Sequence, residues 1–278
     1  MSAAASVETA SGKGAADENF PVGSRLIRAA LRPHIQAFYQ FARNGDDIAD
    51  NPALDPADKV ARLWRMAAVL TGEADGGSPS ALALRASQAE TGVADRHALD
   101  LLAAFRQDAV MPRYPSWAAL LDYCRLSAMP VGRHVLDLHG EAPDAHPPSD
   151  ALCAALQVLN HLQDCAADLA ALDRCYLPLD MLEAAGSGVG DLRAPAASAG
   201  LRRVIDQLLD EVDRLNQVAE ALPRRVRDRR LRLETAAILA LSRRLARRLR
   251  RQDPVAGRVK LGCGDVLASA VRALRHLP

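Results

Sequence analysis

The chain reads as all-α, a single helical domain. Three observations predict this: alanine and leucine dominate while β-branched residues are sparse, apolar positions recur at intervals of three and four, and the breaks between periodic stretches are too short to be interdomain linkers. With 278 residues, 49% hydrophobic and 25% charged, the sequence can bury one large core.

Taken in order, the first 17 residues are small and polar, with neither a basic stretch nor an apolar run of the kind that opens a signal peptide, and read as a disordered leader before a domain spanning 18–278. The spacing then predicts helices near 25–50, 57–71, 80–91, 95–109, 116–140, 149–171, 201–221, 224–251 and 264–276. The punctuation between them is "NPALDP", "TGEADGGSPS", "MPRYPS", "EAPDAHPPSD" and "GSGVGDLRAPAASAG", all rich in glycine, proline, serine and aspartate. Pro130 falls inside the helix read over 116–140, where it removes a backbone donor and clashes with the preceding turn, so a kink is expected near Ser127 to Pro130. No uninterrupted apolar run approaches the roughly 20 residues that a membrane span needs. The five cysteines form no CxxC pair and a domain of this size needs no disulfide staples, which fits a reducing, cytoplasmic setting.

A net charge of +1 gives no global pull toward nucleic acid. The run Arg224 to Arg251 is locally basic, but its leucines, isoleucine and valine fall at helical spacing between the arginines, which describes an amphipathic helix with a buried and a basic face. The basic face is read as a solvated surface or as a contact with an acidic membrane surface at the inner face of the membrane; no aromatic residue interrupts it to stack on bases, so no nucleic-acid partner is expected.

Two acidic stripes carry the chemistry. In the first predicted helix Tyr39, Arg43, Asp46 and Asp50 step by four, three and four residues and share one face, with Asp47 beside the carboxylate pair and Phe38 and Phe41 on neighbouring faces. Carboxylates one helical turn apart repel by a few tenths of a kcal/mol per exposed pair, a cost that something positive must offset. The second stripe is Cys153, Gln157, Asn160, Asp164 and Asp168, which interrupts a strongly apolar helix with two amides and two carboxylates. Buried without partners, each amide would cost roughly 1–3 kcal/mol. If the two helices face each other, their hard oxygen donors suit Mg²⁺, which keeps several waters and is shared between carboxylates and a substrate's phosphates. Zinc is not expected, because neither stripe offers the cysteine and histidine ligands it prefers. For either stripe alone, an acidic helix face turned to solvent is the plainer reading.

Five pieces, "ENFPVGSRLI", "LRPHIQAFYQFARNGDDIAD", "YCRLSAMPVGRHVLDLHG", "ALQVLNHLQDCAADLAALDRCYLP" and, more loosely, "DPVAGRVKL", occur in an order and spacing that resemble the squalene/phytoene synthase family, which has an all-α isoprenoid-synthase fold with a central cavity. "NFPV" and "YCRLSAMPVG" resemble its hydroxysqualene synthase branch, from bacterial hopanoid pathways, more than the coupling branches, whose "YCYxVAGxVG" has a tyrosine where Leu126 stands and an alanine-glycine pair where Met129 and Pro130 stand. The resemblance implies that presqualene diphosphate loses its diphosphate and water captures the rearranged cation. The alternative is head-to-head coupling of two prenyl diphosphates; a noncatalytic helical scaffold is the reading from another class.

By residue, the resemblance assigns Mg²⁺ and diphosphate binding to Asp46, Asp50, Asp164 and Asp168, with Asp47 adjacent. It places Arg43, Asn160 and Gln157 where diphosphate or metal is oriented, and Arg174 and Tyr176 of "RCYLP" where a loop closes over the diphosphate. Phe20, Tyr39, Phe38 and Phe41 are expected to wall a pocket that shelters a carbocation. Tyr123 and Arg125 border the kink; His34, His134, His139 and His161 read as structural, and Cys165 as inert packing. No GxGxxG unit is present, so no nicotinamide cofactor is expected, and partners are a prenyl diphosphate and neighbouring pathway enzymes.

Overall fold

The computed structural model describes residues 6–8, 27–273 and 275. Phe20 and most of the expected leader lie outside them. Among the described residues every extended element is helical; the one strand-like feature is an isolated bridge between Arg113 and Cys175. Two compact units are distinguishable, one formed by 1–111 with 133–140 and the other by 112–132 with 141–278.

The first unit contains α1 (Arg32–Asp50), α2 (Pro56–Thr71), α3 (Pro79–Thr91) and α4 (Arg96–Val110). The starts of α1, α2 and α3 have local causes. Pro33, Pro56 and Pro79 sit in the first turn, where a missing N–H costs nothing, and the side chains of Asp55 and Ser78 accept from the free amides of Asp58 and Ala81. Gly72 and Gly92 end α2 and α3 in the left-handed conformation, at φ 85° and 73°. The apolar faces close on Phe38, Phe41, Ile48, Leu63, Met66, Leu84, Leu101 and Phe105. Gly45 permits the close packing of α1 on α4, since a Cβ there would stand 2.7 Å from the Phe105 ring. Residues 6–8, expected as disordered leader, are docked instead: Val7 N–H donates to Gly77 O (2.8 Å), and one Glu8 carboxylate oxygen accepts from the Ser78 hydroxyl (2.6 Å), the Ser80 amide (2.9 Å) and the Ser80 hydroxyl (2.6 Å).

The helix expected over 116–140 is two helices, α5 (Trp117–Ser127) and α6 (Met129–Leu138), broken at Ala128. Pro130 occupies the first turn of α6, the place a helix tolerates it. In the second unit α5, α7 (His146–Leu172), α9 (Ala199–Val218) and α11 (Arg229–Leu249) pack together, with the short α8 (Leu179–Ala184) and α10 (Leu222–Arg225) as connectors and α12 (Cys263–Ala273) laid on α11. Leu120, Leu152, Leu159, Leu162, Val204, Leu208, Val212 and Leu245 are buried. Gly132 lies where a Cβ would stand 2.4 Å from Ser149 Oγ and 2.6 Å from Cys153 Sγ on α7. Cys124, Cys153, Cys165 and Cys175 are free thiols.

The Arg-rich stretch divides into α10 and α11, and several of its cations are spent internally. Arg243 pairs with Glu220 and donates to Asn216 O at 3.1 Å, Arg244 and Arg248 hold Asp265 at 3.4 and 2.6 Å, and Arg250 spans Asp210 and Asp213 at 2.7 and 2.8 Å.

Candidate active site

On α1 the predicted stripe is real: Tyr39, Arg43, Asp46 and Asp50 are all partly open, while Phe38, Phe41, Asp47 and Ile48 on the flanks are buried. Arg43 sits between two carboxylates, 3.1 Å from Asp46 and 2.5 Å from Asp47. Asp47 is the more buried of the pair and takes the shorter bond, so Arg43 is shared between the two carboxylates, with Asp46 at the longer distance. Although 37% of the Asp46 side-chain surface is open, crowding by protein on its other sides pushes its carboxyl up to about 8, Asp50 one turn away adds to this, Arg43 opposes it, and Asp108 and Asp47 add smaller repulsions. Asp108, from α4, is a buried carboxylate that sequence reasoning passed over.

Phe38 and Phe41, expected as cavity wall, are packed in the first unit's core. Phe38 stacks on His134 at 3.8 Å between ring centres and 9° between planes. His134 is buried and neutral, held down to about 3 by burial first and then by His97, and both of its ring nitrogens lack hydrogen-bond partners among the described residues.

On α7 Cys153, Gln157, Asn160, Asp164 and Asp168 are partly open, flanked by buried Leu152, Ala154, Val158, Leu159, Leu162 and Cys165, while Ala167, Ala170 and Ala171 near the end of the helix are exposed. Asp164 is gripped by Arg258, Nε to Oδ1 at 2.7 Å and Nη2 to Oδ2 at 2.9 Å, a two-point contact between residues 94 apart in sequence. Asp168 stands near the end of α7, where its backbone carbonyl accepts the amides of Asp173 and Arg174; Asp173 turns the chain with φ 50°. Cys165 is buried packing, its thiol pushed up to about 12 by burial, as a spacer position should be.

Beyond α7 the "RCYLP" segment is fixed by Cys175 N–H donating to Pro112 O at 2.9 Å and Leu179 N–H to Tyr114 O at 3.0 Å. This gathers four rings. Tyr176 stacks on His161 (3.6 Å, 13°) and lies 5.5 and 5.6 Å from Tyr114 and Tyr123, which are 5.1 Å from each other. His161 is held neutral, down to about 3, by burial first and then by Arg174, itself buried. Tyr114 was not singled out by sequence; its only local signal is its place between Arg113 and Pro115 in a loop. Arg258 was visible only as part of a loosely matching segment.

Among the described residues no three His, Cys, Asp or Glu side chains form a ready-made metal cage. The donors do fit Mg²⁺, which takes one or two carboxylates and fills its remaining positions with water and substrate phosphate. An under-neutralised Asp46 one turn from Asp50 is the condition a bound cation would relieve.

The family model for squalene/phytoene synthase matches residues 14–264. The chain belongs to the squalene/phytoene synthase family. Within it, the hydroxysqualene synthase of Zymomonas mobilis subsp. mobilis is 45% identical over 262 residues, 94% of this chain and 88% of that one. The hydroxysqualene synthase of Rhodopseudomonas palustris is 45% identical, covering 91% and 87%. The crystal structure of squalene synthase HpnC from Alicyclobacillus acidocaldarius superposes with a TM-score of 0.73 at 35% identity, over 83% of this chain and 87% of that one. A dehydrosqualene synthase structure, at 20% identity and TM-score 0.79 over 94% and 92%, shares the fold. The all-α expectation therefore stands, and no described helix is long and apolar enough to cross a membrane.

Proposed function

We propose that this chain is a hydroxysqualene synthase acting on presqualene diphosphate. The observation that carries the reading is a gap in similarity. Hydroxysqualene synthases are 42–45% identical over 91–94% of the chain, whereas the presqualene diphosphate synthase of Zymomonas mobilis subsp. mobilis is 32% identical over 64% of it, and the phytoene synthase of Pseudescherichia vulneris 28% over 70%.

In the reaction, the bond between the cyclopropylcarbinyl carbon and the diphosphate oxygen breaks and the electron pair leaves with diphosphate. The cation rearranges, a water oxygen bonds to it, and the water gives up a proton, so presqualene diphosphate and water become hydroxysqualene and diphosphate. Mg²⁺, when bound, supplies Lewis-acid neutralisation of the departing charge. Asp46, Asp50, Asp164 and Asp168 are the residues that would hold it. Arg43, fixed between Asp46 and Asp47, would orient diphosphate oxygens together with the Asn160 and Gln157 amides. Arg174 and Tyr176 sit on a segment pinned at both ends, which suits residues that must hold a leaving group. Tyr39, beside Arg43, offers an aromatic face to a cation; Phe20 is assigned the same role on sequence alone.

Feeding the purified protein presqualene diphosphate and farnesyl diphosphate in separate reactions tests this. Consumption of the first with release of hydroxysqualene is expected; consumption of the second alone would transfer the chain to the coupling branch.

A further inference from the structure

Eight large apolar residues are prominently exposed among the described residues: Trp64, Val110, Val131, Leu179 and Val218, scattered over separate elements, and Val266, Leu267 and Val271, all on α12. Single exposed apolar residues are ordinary, whereas α12 carries three in 11 residues, two of them, Leu267 and Val271, one turn apart on the same face. That spacing makes a ridge. Asp265, Ser269 and Ala273, four apart, face inward at 11%, 0% and 3% exposure; Leu267 and Val271, also four apart, lie on the opposite side at 67% and 58%, while Val266, 53% exposed in the first turn, stands about 100° around the helix from Leu267 and outside that ridge.

The charges sort the same way. The one acid of α12, Asp265, is turned inward, held by Arg244 and Arg248. Lys260 before the helix, Arg275 after it, and Arg247 and Arg251 at the end of the underlying α11 are exposed cations with no ion-pair partner among the described residues. An apolar ridge bracketed by cations and cleared of acids is the pattern of a helix lying in a lipid headgroup layer. A second copy of the chain is a poorer occupant, because a two-fold contact through this ridge would bring these cations against their own images.

We propose that α12 is a membrane-surface helix that docks the protein on an anionic bilayer through Leu267 and Val271. This moves the contact expected of the basic α11 face to the next helix, since Arg243, Arg244, Arg248 and Arg250 of α11 are engaged within the fold. The biological sense rests on the proposed reaction, whose thirty-carbon alcohol partitions into lipid; the binding itself does not.

Sedimentation of the full chain with vesicles of phosphatidylcholine and phosphatidylglycerol, against vesicles of phosphatidylcholine alone, tests it. Binding to the anionic vesicles is expected, falling at least tenfold on neutral ones. The Leu267→Asp/Val271→Asp double variant should lose at least tenfold in bound fraction, and Arg247→Gln/Arg251→Gln about threefold, with unchanged far-ultraviolet circular dichroism and unchanged turnover of detergent-dispersed substrate. No sedimentation of the unmodified chain, or equal sedimentation of the double variant, would overturn the proposal, as would a double variant that changes oligomeric state and leaves vesicle binding intact. Vesicle binding without turnover of presqualene diphosphate would sink the proposed reaction and leave α12 standing.

Discussion

The stripes on α1 and α7 have the same carboxylate spacing and opposite electrostatic solutions. On α1 the nearest cation, Arg43, comes from the same helix and is shared between Asp46 and Asp47, while burial and then Asp50 push the Asp46 carboxyl above the usual carboxylate range. On α7 the first carboxylate, Asp164, is clamped by Arg258 from a distant segment. The lesson is that a carboxylate pair at i,i+4 does not define its own charge state; whichever third group the fold supplies decides it.

The comparison breaks most visibly at the carboxylates. Asp46→Asn and Asp164→Asn should each lower kcat/KM by ~10²-fold or more, on the scale of losing one transition-state contact. Steady-state turnover over a Mg²⁺ titration reads this, and a variant with unchanged turnover and unchanged Mg²⁺ dependence would remove that residue from the site. Next in size is the clamp. Arg258→Lys keeps the charge and loses the two-point grip on Asp164, and a loss of about tenfold in kcat/KM with a higher half-saturating Mg²⁺ concentration is expected. If Arg258→Lys behaves as the unmodified enzyme, the asymmetry between the stripes has no functional weight.

Two smaller effects concern the scaffolds beneath the stripes. Gly132→Ala would push a methyl into Ser149 Oγ and Cys153 Sγ on the helix that bears Asp164. A loss of about 1–3 kcal/mol in urea unfolding is expected, with Gly132→Ser no better tolerated than Gly132→Ala.

Beneath α1 the sensitive group is His134, faced by Phe38 and His34 from α1, His97 from α4 and Asp137 on its own helix. Its folded pKa of about 3 lies below the unfolded value of 6.5, so the unfolded chain takes up the proton first. Stability therefore falls as pH drops below 6.5 and levels near 3, with about 2 kcal/mol lost by pH 5 from this residue. His134→Phe, which keeps a ring against Phe38, should flatten that part of the pH–stability curve; an unchanged slope would show that His134 titrates normally.

Much of this was legible in the sequence, for reasons that differ by residue. Helix periodicity locates α2 to α4 within a residue or two, whereas α1 begins at Arg32, seven residues after the expected start, where Pro33 opens it; Pro130 marks the break between α5 and α6 because its chemistry is local. The half-open stripes on both helices follow from i,i+3 and i,i+4 steps alone. What was missed is long-range. Arg258 on Asp164, Asp108 beside Asp46 and Tyr114 against Tyr123 and Tyr176 depend on chain segments brought together by folding, and no periodicity encodes them. Glu8 on the start of α3 is the same case: a polar leader looks structureless until the amide and hydroxyls that its carboxylate caps are in place.

The most direct test of the chemistry is isotopic. Purified protein given presqualene diphosphate and Mg²⁺ in ¹⁸O-labelled water should release hydroxysqualene carrying one ¹⁸O and unlabelled diphosphate, because the C–O bond to diphosphate breaks and water supplies the new oxygen. Hydroxysqualene without the label, or no alcohol at all while farnesyl diphosphate is consumed, would contradict the account.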